Sequence, residues 1–223
     1  MIDIMDWFKQ KFKKLWSWLV KARHLHQYVV LGALDQNQIN IGKNSAFKGL
    51  NAFVFKPGAV NNRIEIGDNF RARKLQIIFK GQNNQVIIGD NVKWSGRILV
   101  DGCGLEVRIG ENTTAESVYL LSRDQNVTIG KNCMISREIE IRSTDVHKIY
   151  LLETGQRVNE ANPLIVGDHV WIAARAFLSK NTVIPNNCVI GACSFVNKAF
   201  TEENTIIAGS PAKVVKRGVD WKR

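Results

Sequence analysis

Residues 166–196, VGDHVWIAARAFLSKNTVIPNNCVIGACSFV, carry an aliphatic residue at every sixth position. A second series, mostly of small residues, follows the first by four positions. An α-helix does not place residues of period six on one face, and a simple strand requires apolar residues at every second position. A triangular coil of three short strands, with six residues to a side, accommodates both series. The first series is Val166, Ile172, Leu178, Ile184, Ile190 and Val196, and the second is Val170, Ala176, Thr182, Cys188, Ser194 and Phe200.

A longer phrase extends the same coil toward the N-terminus. The pattern aliphatic-x-aliphatic-Gly-polar-Asn recurs, with His169 in place of Asn in its last copy, and such internal repeats are typical of solenoids. Gly and Asn tolerate the positive φ of tight corners, which predicts a turn in each phrase. We therefore predict an all-β solenoid over residues 31–210, with the extra residues of its earlier coils in corner loops. The glycines of the phrase are Gly42, Gly67, Gly89, Gly110, Gly130 and Gly167.

Composition limits the classes of partner. The net charge of +11, from 31 Lys and Arg against 20 Asp and Glu, favours an anionic partner: nucleic acid, membrane, a nucleotide-bearing cofactor or an acidic glycan. No run approaches the about 20 apolar residues that span a bilayer. Lysines interrupt the apolar residues near the N-terminus, unlike a secretory signal. We predict a cytoplasmic protein, and four cysteines without a CxxC pair predict no zinc site.

Both ends of the chain differ from the repeat. Residues 1–30 are predicted to contain an amphipathic helix, with an apolar face over residues 3–26 and lysines mostly opposite. Such a helix lies in a membrane interface, here the inner face, or caps the open end of a solenoid, and the sequence leaves both alternatives open. Residues 211–223 are predicted to form a short helical C-terminal cap.

The repeat breaks once, between Gly130 and Gly167, which lie 37 residues apart. The hexad series reaches His147 there, in a polar loop near residues 143–163, and long loops that leave a regular fold are often functional. In an extended segment Asp145 and His147 would point the same way, and a carboxylate near an imidazole fixes its tautomer and raises its basicity. By itself, one His near one Asp favours an ordinary surface loop.

Several phrases resemble those of the hexapeptide-repeat acyltransferases of the sugar O-acetyltransferase type. Residues 41–46, Ile-Gly-Lys-Asn-Ser-Ala, match their repeat, and the resemblance covers roughly residues 37–215. Asp-Val-His-Lys-Ile at 145–149 precedes Pro-Leu-Ile-Val-Gly-Asp-His-Val-Trp-Ile at 163–172, as in that family. The resemblance implies a left-handed parallel β-helix, acetyl-CoA as acyl donor, no metal, His147 as general base and Asp145 as its orienting partner.

The resemblance also implies where coenzyme A lies. Trp171 corresponds to an aromatic beside the pantetheine arm or the acceptor, although packing between subunits explains it as well. Backbone amides at two small-residue pairs would contact the thioester or pantetheine, and three cations would contact the phosphates, unless they form a solvated tail. The family pattern further implies a homotrimer with active sites between subunits. The pairs are Ala173 with Ala174 and Gly191 with Ala192, and the cations are Lys213, Lys216 and Arg217.

The predicted function is transfer of an acetyl group to a sugar hydroxyl in capsular polysaccharide, lipopolysaccharide or sialic-acid glycan biosynthesis. The alternatives are an amino-sugar N-acetyltransferase of the same fold and a non-catalytic β-helix scaffold at the membrane. Zinc-dependent hydration needs three convergent histidines, and only His147 and His169 lie outside the N-terminal segment. Nucleic acid is not predicted as a partner.

Overall fold

The computed structural model describes residues 28–223, which fold into mostly parallel strands and a single 3-10 helix, Leu34–Gln36. Most strands are short because aliphatic residues alternate with polar ones for only two to five residues before each corner. They are β1 (Tyr28–Leu31), β2 (Gln38–Ile41), β3 (Ala46–Lys48), β4 (Asn51–Phe55), β5 (Arg63–Ile66), β6 (Arg71–Lys80), β7 (Gln85–Ile88), β8 (Lys93–Asp101), β9 (Glu106–Ile109), β10 (Thr114–Arg123), β11 (Val127–Ile129), β12 (Met134–Ile135), β13 (Glu140–Arg142), β14 (Leu164–Val166), β15 (Trp171–Ile172), β16 (Phe177–Leu178), β17 (Val183–Ile184), β18 (Val189–Ile190), β19 (Phe195–Val196), β20 (Thr205–Gly209) and β21 (Ala212–Arg217).

Strand register divides the solenoid into three sides. Side 1 contains β3, the first parts of β6, β8 and β10, and then β12, β15, β18 and β20. Side 2 contains β1, β4, the second parts of β6, β8 and β10, and then β13, β16 and β19. Side 3 contains β2, β5, β7, β9, β11, β14 and β17. The three long strands bend from side 1 to side 2 at register shifts.

The predicted hexads form the core. All twelve residues of the two series in residues 166–200 are buried, and they stack in continuous rows inside the triangle. This confirms the coil predicted from the period of six. The earlier coils are larger because eleven positions separate Ile98 from Ile109, whereas six separate the equivalent Leu178 and Ile184. Those extra residues lie at the corner between sides 2 and 3.

The Gly-x-Asn phrases form the corner between sides 3 and 1. The last residue of each phrase has a φ between 55° and 58°, as predicted for Asn and also observed for His169. The prediction is wrong for the glycines, which do not have positive φ at these positions. A Cβ on Gly110 would lie 2.5 Å from the carbonyl carbon of Gly130 on the next coil. Glycine is therefore needed there for close approach of two backbones.

Of the two predicted end segments, the structure tests only the C-terminal one in full. The predicted N-terminal helix lies outside the described residues, and β1 begins at Tyr28, within the segment assigned to it. The predicted helical cap at residues 211–223 is wrong, because β21 pairs antiparallel with β20. β-branched Val214 and Val215 favour a strand, and the last coil offers a free edge for pairing. Within residues 28–223 no helix is long and apolar enough to cross a membrane.

Candidate active site

The loop near residues 143–163 is an ordered arm at the corner between sides 2 and 3. Its two halves pair as a hairpin: the Val158 amide donates to the Ile149 carbonyl at 2.9 Å, and the Leu151 amide donates to the Gln156 carbonyl at 2.9 Å. Large apolar side chains cover its outside, and that of Leu152 is fully exposed. A surface loop that exposes so much apolar area is typical of a contact segment.

A buried asparagine holds the base of this arm. The Asn159 side-chain amide donates to the His147 carbonyl at 2.8 Å and to Asp145 Oδ2 at 3.0 Å. Its Oδ1 accepts a hydrogen bond from the Ile149 amide at 2.8 Å. Lys180, on the neighbouring coil, places its Nζ 2.6 Å from Asp145 Oδ2. The three Asn159 contacts join the two halves of the arm on both sides of His147, and the Lys180 contact ties the base of the arm to the solenoid.

Asp145 does not touch the His147 imidazole, contrary to the geometry expected of an extended segment. Val146 has a φ of 69°, and the His147 amide donates to the Asp145 carbonyl at 2.8 Å, so the chain turns sharply between them. The carboxylate instead faces Lys180 and Asn159. The His147 side chain is exposed, and its ring forms no hydrogen bond within the described part of the chain.

The pKa of the Asp145 carboxyl lies below its ordinary value. Burial by itself raises this pKa, but hydrogen bonds from Lys180 and Asn159 outweigh that effect, and the charges of Lys180 and Arg157 act in the same direction. The carboxylate is therefore ionised at neutral pH. It acts as a fixed negative anchor between the solenoid and the arm.

Trp171 lies on the outer surface of side 1, away from the arm. Its ring packs 6.2 Å from that of Trp221, and its buried indole N–H has no acceptor among the described residues. Trp221 stacks on the His169 imidazole at 4.4 Å and donates from its own indole to the His169 carbonyl at 2.8 Å. Sequence reasoning missed this contribution of the C-terminal tail, since no local pattern indicates that the tail turns back over side 1.

The small residues predicted to contact coenzyme A form two neighbouring columns. Ala173 and Gly191 occupy equivalent positions on successive coils, and their amides are used by the ladder, donating to Ile190 and Ile207 at 2.9 Å each. The amides of Ala174 and Ala192 have no acceptor within residues 28–223. Only Ala174 and Ala192 therefore offer backbone donors to a ligand.

The three predicted phosphate ligands differ in availability. Lys213 lies opposite Ala208 in the β20–β21 pair, at the end of a column of small residues, and neither it nor Lys216 forms an ion pair within the described residues. Arg217 is held by Glu202, with Nε–Oε2 and Nη2–Oε1 distances of 2.6 and 3.0 Å. That contact lowers the pKa of Glu202 and occupies the Nε–Nη2 edge of the guanidinium. Lys213 and Lys216 fit a phosphate better than Arg217.

One chain does not bring the predicted site together. His147 leaves the corner between sides 2 and 3, whereas Trp171 and the small-residue columns lie on side 1 and its corner with side 2. No contact joins His147 to Trp171 in the part of the chain that the structure describes. Within the same residues no three His, Cys, Asp or Glu side chains are grouped closely enough to hold a metal ion.

Comparison with known proteins finds similar sequences and similar structures. A polysialic acid O-acetyltransferase of Neisseria meningitidis is 36% identical over 200 residues, which cover 89% of this chain and 90% of that protein. The crystal structure of the polySia-specific acetyltransferase NeuO superposes with a TM-score of 0.78 at 32% identity, covering 88% and 89% of the two chains. That of the polysialic acid O-acetyltransferase OatWY superposes with a TM-score of 0.73 at 33% identity, covering 89% and 92%. No protein-family model matches the chain.

Proposed function

Because this chain belongs to the polysialic acid O-acetyltransferases, a family of hexapeptide-repeat acetyltransferases with a left-handed β-helix, we propose that it acetylates a hydroxyl of sialic acid in a capsular polysaccharide. Acetyl-CoA is the proposed donor. The observation that carries the proposal is the anchored arm, which presents the His147 imidazole at the one break in the repeat, with no partner among residues 28–223. The relatives are named O-acetyltransferases, which favours a hydroxyl over an amine as the acceptor.

In the proposed mechanism His147 acts as the general base. Its imidazole accepts the proton of the acceptor hydroxyl while the oxygen attacks the carbonyl carbon of the thioester. The free amides of Ala174 and Ala192 are the candidates that stabilise the resulting oxyanion. As the C–S bond breaks, the imidazolium returns its proton to the sulfur. Atoms and charges balance without an acyl-enzyme.

The two buried cysteines are not suited to form an acyl-enzyme. Burial raises the pKa of the Cys133 thiol to about 11, which keeps it protonated at neutral pH. Cys188 is also buried in the core, while Cys103 and Cys193 are exposed and all four are unpaired. A protonated buried thiol is a poor nucleophile.

The two columns of small residues fit coenzyme A as donor, as do Lys213 and Lys216, which form no ion pair within residues 28–223. The thioester carbonyl needs hydrogen-bond donors such as backbone amides, and the phosphates need cationic side chains. The separation of His147 from Trp171 supports a homotrimer in which the arm of one subunit meets side 1 of another. Cytoplasmic location and contact of residues 3–26 with the inner membrane face stay predictions.

A panel of acceptors tests the proposal. The full chain is incubated with acetyl-CoA and polysialic acid, lipopolysaccharide, amino sugars or neutral galactosides, and products are identified by mass spectrometry. We expect a mass gain of one acetyl group on sialic acid, at an alkali-labile ester. Acetylation of an amine alone, or of neutral sugars alone, would contradict the proposal.

We predict that Asp145 positions His147 and takes no part in the chemistry. Asp145→Asn removes the ion pair with Lys180 and loosens the arm, so kcat should fall roughly 10- to 100-fold, with the KM for acetyl-CoA unchanged. The stability that Asp145 supplies is present above its unfolded-state pKa of about 4 and is lost as pH falls through the lower folded-state pKa. The difference in unfolding free energy between variant and wild type should therefore shrink below about pH 4.

The control for this prediction is Glu138→Gln, which breaks an exposed ion pair with Arg175 at 2.7 Å outside the arm. Exposed ion pairs contribute little to stability, so this variant should fold normally and retain activity. Lys180→Met should reproduce the loss of kcat seen in Asp145→Asn. A loss in Asp145→Asn as large as that of removing His147, without the same loss in Lys180→Met, would assign Asp145 to the chemistry instead.

A further inference from the structure

Four cations lie side by side on side 1 of the early coils. Arg71 lies opposite Lys93 in the β6–β8 ladder, and Lys48 lies opposite Arg73 in the β3–β6 ladder. All four are exposed, and the residues that alternate with them are buried, so the cations point outward. We refer to Lys48, Arg71, Arg73 and Lys93 as the basic strip.

No residue of the basic strip forms an ion pair within residues 28–223. Elsewhere on the solenoid arginines face carboxylates, as Arg175 faces Glu138. In the strip, Arg71 donates only to the backbone carbonyls of Asn44 and Phe70. The positive charge of the strip is therefore not compensated by the described chain.

The carboxylates nearest in sequence to the strip accept hydrogen bonds from backbone amides and form no ion pair with it. Asp68 Oδ1 accepts the Lys43 amide at 2.7 Å, and Asp90 Oδ1 accepts the Asp68 amide at 2.7 Å. Both therefore cap the backbone of the neighbouring coil at the corner. Glu116, exposed on β10, follows one coil beyond the strip and marks its end.

This arrangement opposes stability. Like charges directly opposite each other on neighbouring strands repel, and here two such pairs stand next to each other. Clusters that lower stability are retained where function needs them. The strip is therefore better explained by an anionic ligand than by the fold.

The strip lies on the same face as Trp171. The ladder runs from Lys93 through Thr114 and Met134 to Trp171. Three steps between neighbouring strands amount to about 14 Å. Arg223, from the C-terminal tail, adds a cation on the way, since it donates to Thr114 Oγ1 at 3.1 Å and to the Cys133 carbonyl at 2.7 Å.

We propose that the basic strip is a second binding surface for a polyanionic acceptor, which holds the polymer along side 1 while one sugar occupies the site at Trp171. The proposal rests on the proposed function and adds a surface outside the reacting site. A polymer with one carboxylate on every sugar matches a row of cations. A short oligosaccharide in the reacting site does not reach the strip.

The test compares long and short acceptors. The full chain with Lys48, Arg71, Arg73 and Lys93 all changed to Gln is assayed with polysialic acid and with the sialic acid dimer. We expect the KM for the polymer to rise at least about tenfold and its salt dependence to weaken. The KM for the dimer and for acetyl-CoA should stay unchanged. Resistance to unfolding should be equal or higher, because repulsion is relieved.

A control removes the same number of positive charges elsewhere, by changing Lys56, Arg63, Arg108 and Lys131 to Gln. An equal rise in the polymer KM in this control would overturn the strip, since overall charge would then explain the attraction. An unchanged polymer KM in the strip variant would overturn it as well.

Direct binding separates this inference from the proposed function. Labelled polysialic acid, RNA and anionic lipid vesicles are titrated with wild type and with both Gln variants. Loss of polysialic acid binding only in the strip variant supports the strip even where no acceptor is acetylated, an outcome that would refute the proposed function alone. Tighter binding of RNA or vesicles than of polysialic acid, lost in the strip variant, would overturn the assignment of the ligand.

Discussion

Replacing His147 with alanine should lower kcat for acetyl transfer about 100- to 10,000-fold, the range that general acid–base catalysis contributes. The reason is that the acceptor hydroxyl then has no base to take its proton as it attacks the thioester. The KM values for acetyl-CoA and acceptor should change little, because the imidazole acts mainly in the transition state. Steady-state kinetics with polysialic acid measures all three.

The His147→Ala substitution should not affect the stability of the fold. The His147 ring is exposed and makes no hydrogen bond within the described residues, so the alanine variant should unfold at the same temperature as wild type. Glu153→Gln, an exposed substitution in the same arm, serves as the control and should keep activity. Retention of more than about a tenth of wild-type kcat in His147→Ala would remove this residue from the chemistry.

The sequence was sufficient for the core of the solenoid because its physics is local and repetitive. Each aliphatic of a hexad stacks on its counterpart one coil away, so a periodic pattern in one dimension becomes a row in three. Val166, Ile172 and Leu178 illustrate this, since all three are buried as their spacing predicted. The same argument could not place the C-terminal strand, which depends on a free edge rather than on a repeat.

The candidate site was only partly predictable. The break in the repeat identified His147, but the turn at Val146 sends the Asp145 carboxylate to Lys180, 35 residues away in sequence. Asn159, which joins both sides of His147, belongs to a polar stretch with no recognisable pattern. Contacts across a loop and between distant coils leave no period in the sequence, so the sequence pattern could not predict them.

The glycines of the repeated phrase, which we call the glycine column, were found from the sequence, but the physical reason for them was not. The sequence marked Gly42 through Gly167 as invariant members of a phrase, and positive φ was the obvious reason for them. In the structure the last residue of the phrase, Asn or His, has the positive φ, and the glycines answer to a different constraint. A Cβ at these positions would enter the backbone of the next coil or the carboxamide or carboxylate that caps it.

Gly110→Ala should therefore destabilise the fold strongly. The new Cβ would lie 2.5 Å from the Gly130 carbonyl carbon and 2.6 Å from the Lys131 nitrogen, and neither backbone atom can move without opening the stack of coils. We expect a loss of about 3 kcal/mol in unfolding free energy, at the upper end of the cost of overpacking. The corresponding fall in Tm is about 6–12 °C for a chain of this size.

Gly104→Ala is the matched control, since Gly104 has a φ of 69° and a Cβ there would meet nothing within 4 Å. Only the left-handed backbone is then strained, at about 1 kcal/mol. Thermal unfolding of both variants separates the two reasons for which a solenoid uses glycine. Equal losses would mean that the corner relaxes around an added methyl group, and close approach of the coils would no longer explain the glycine column.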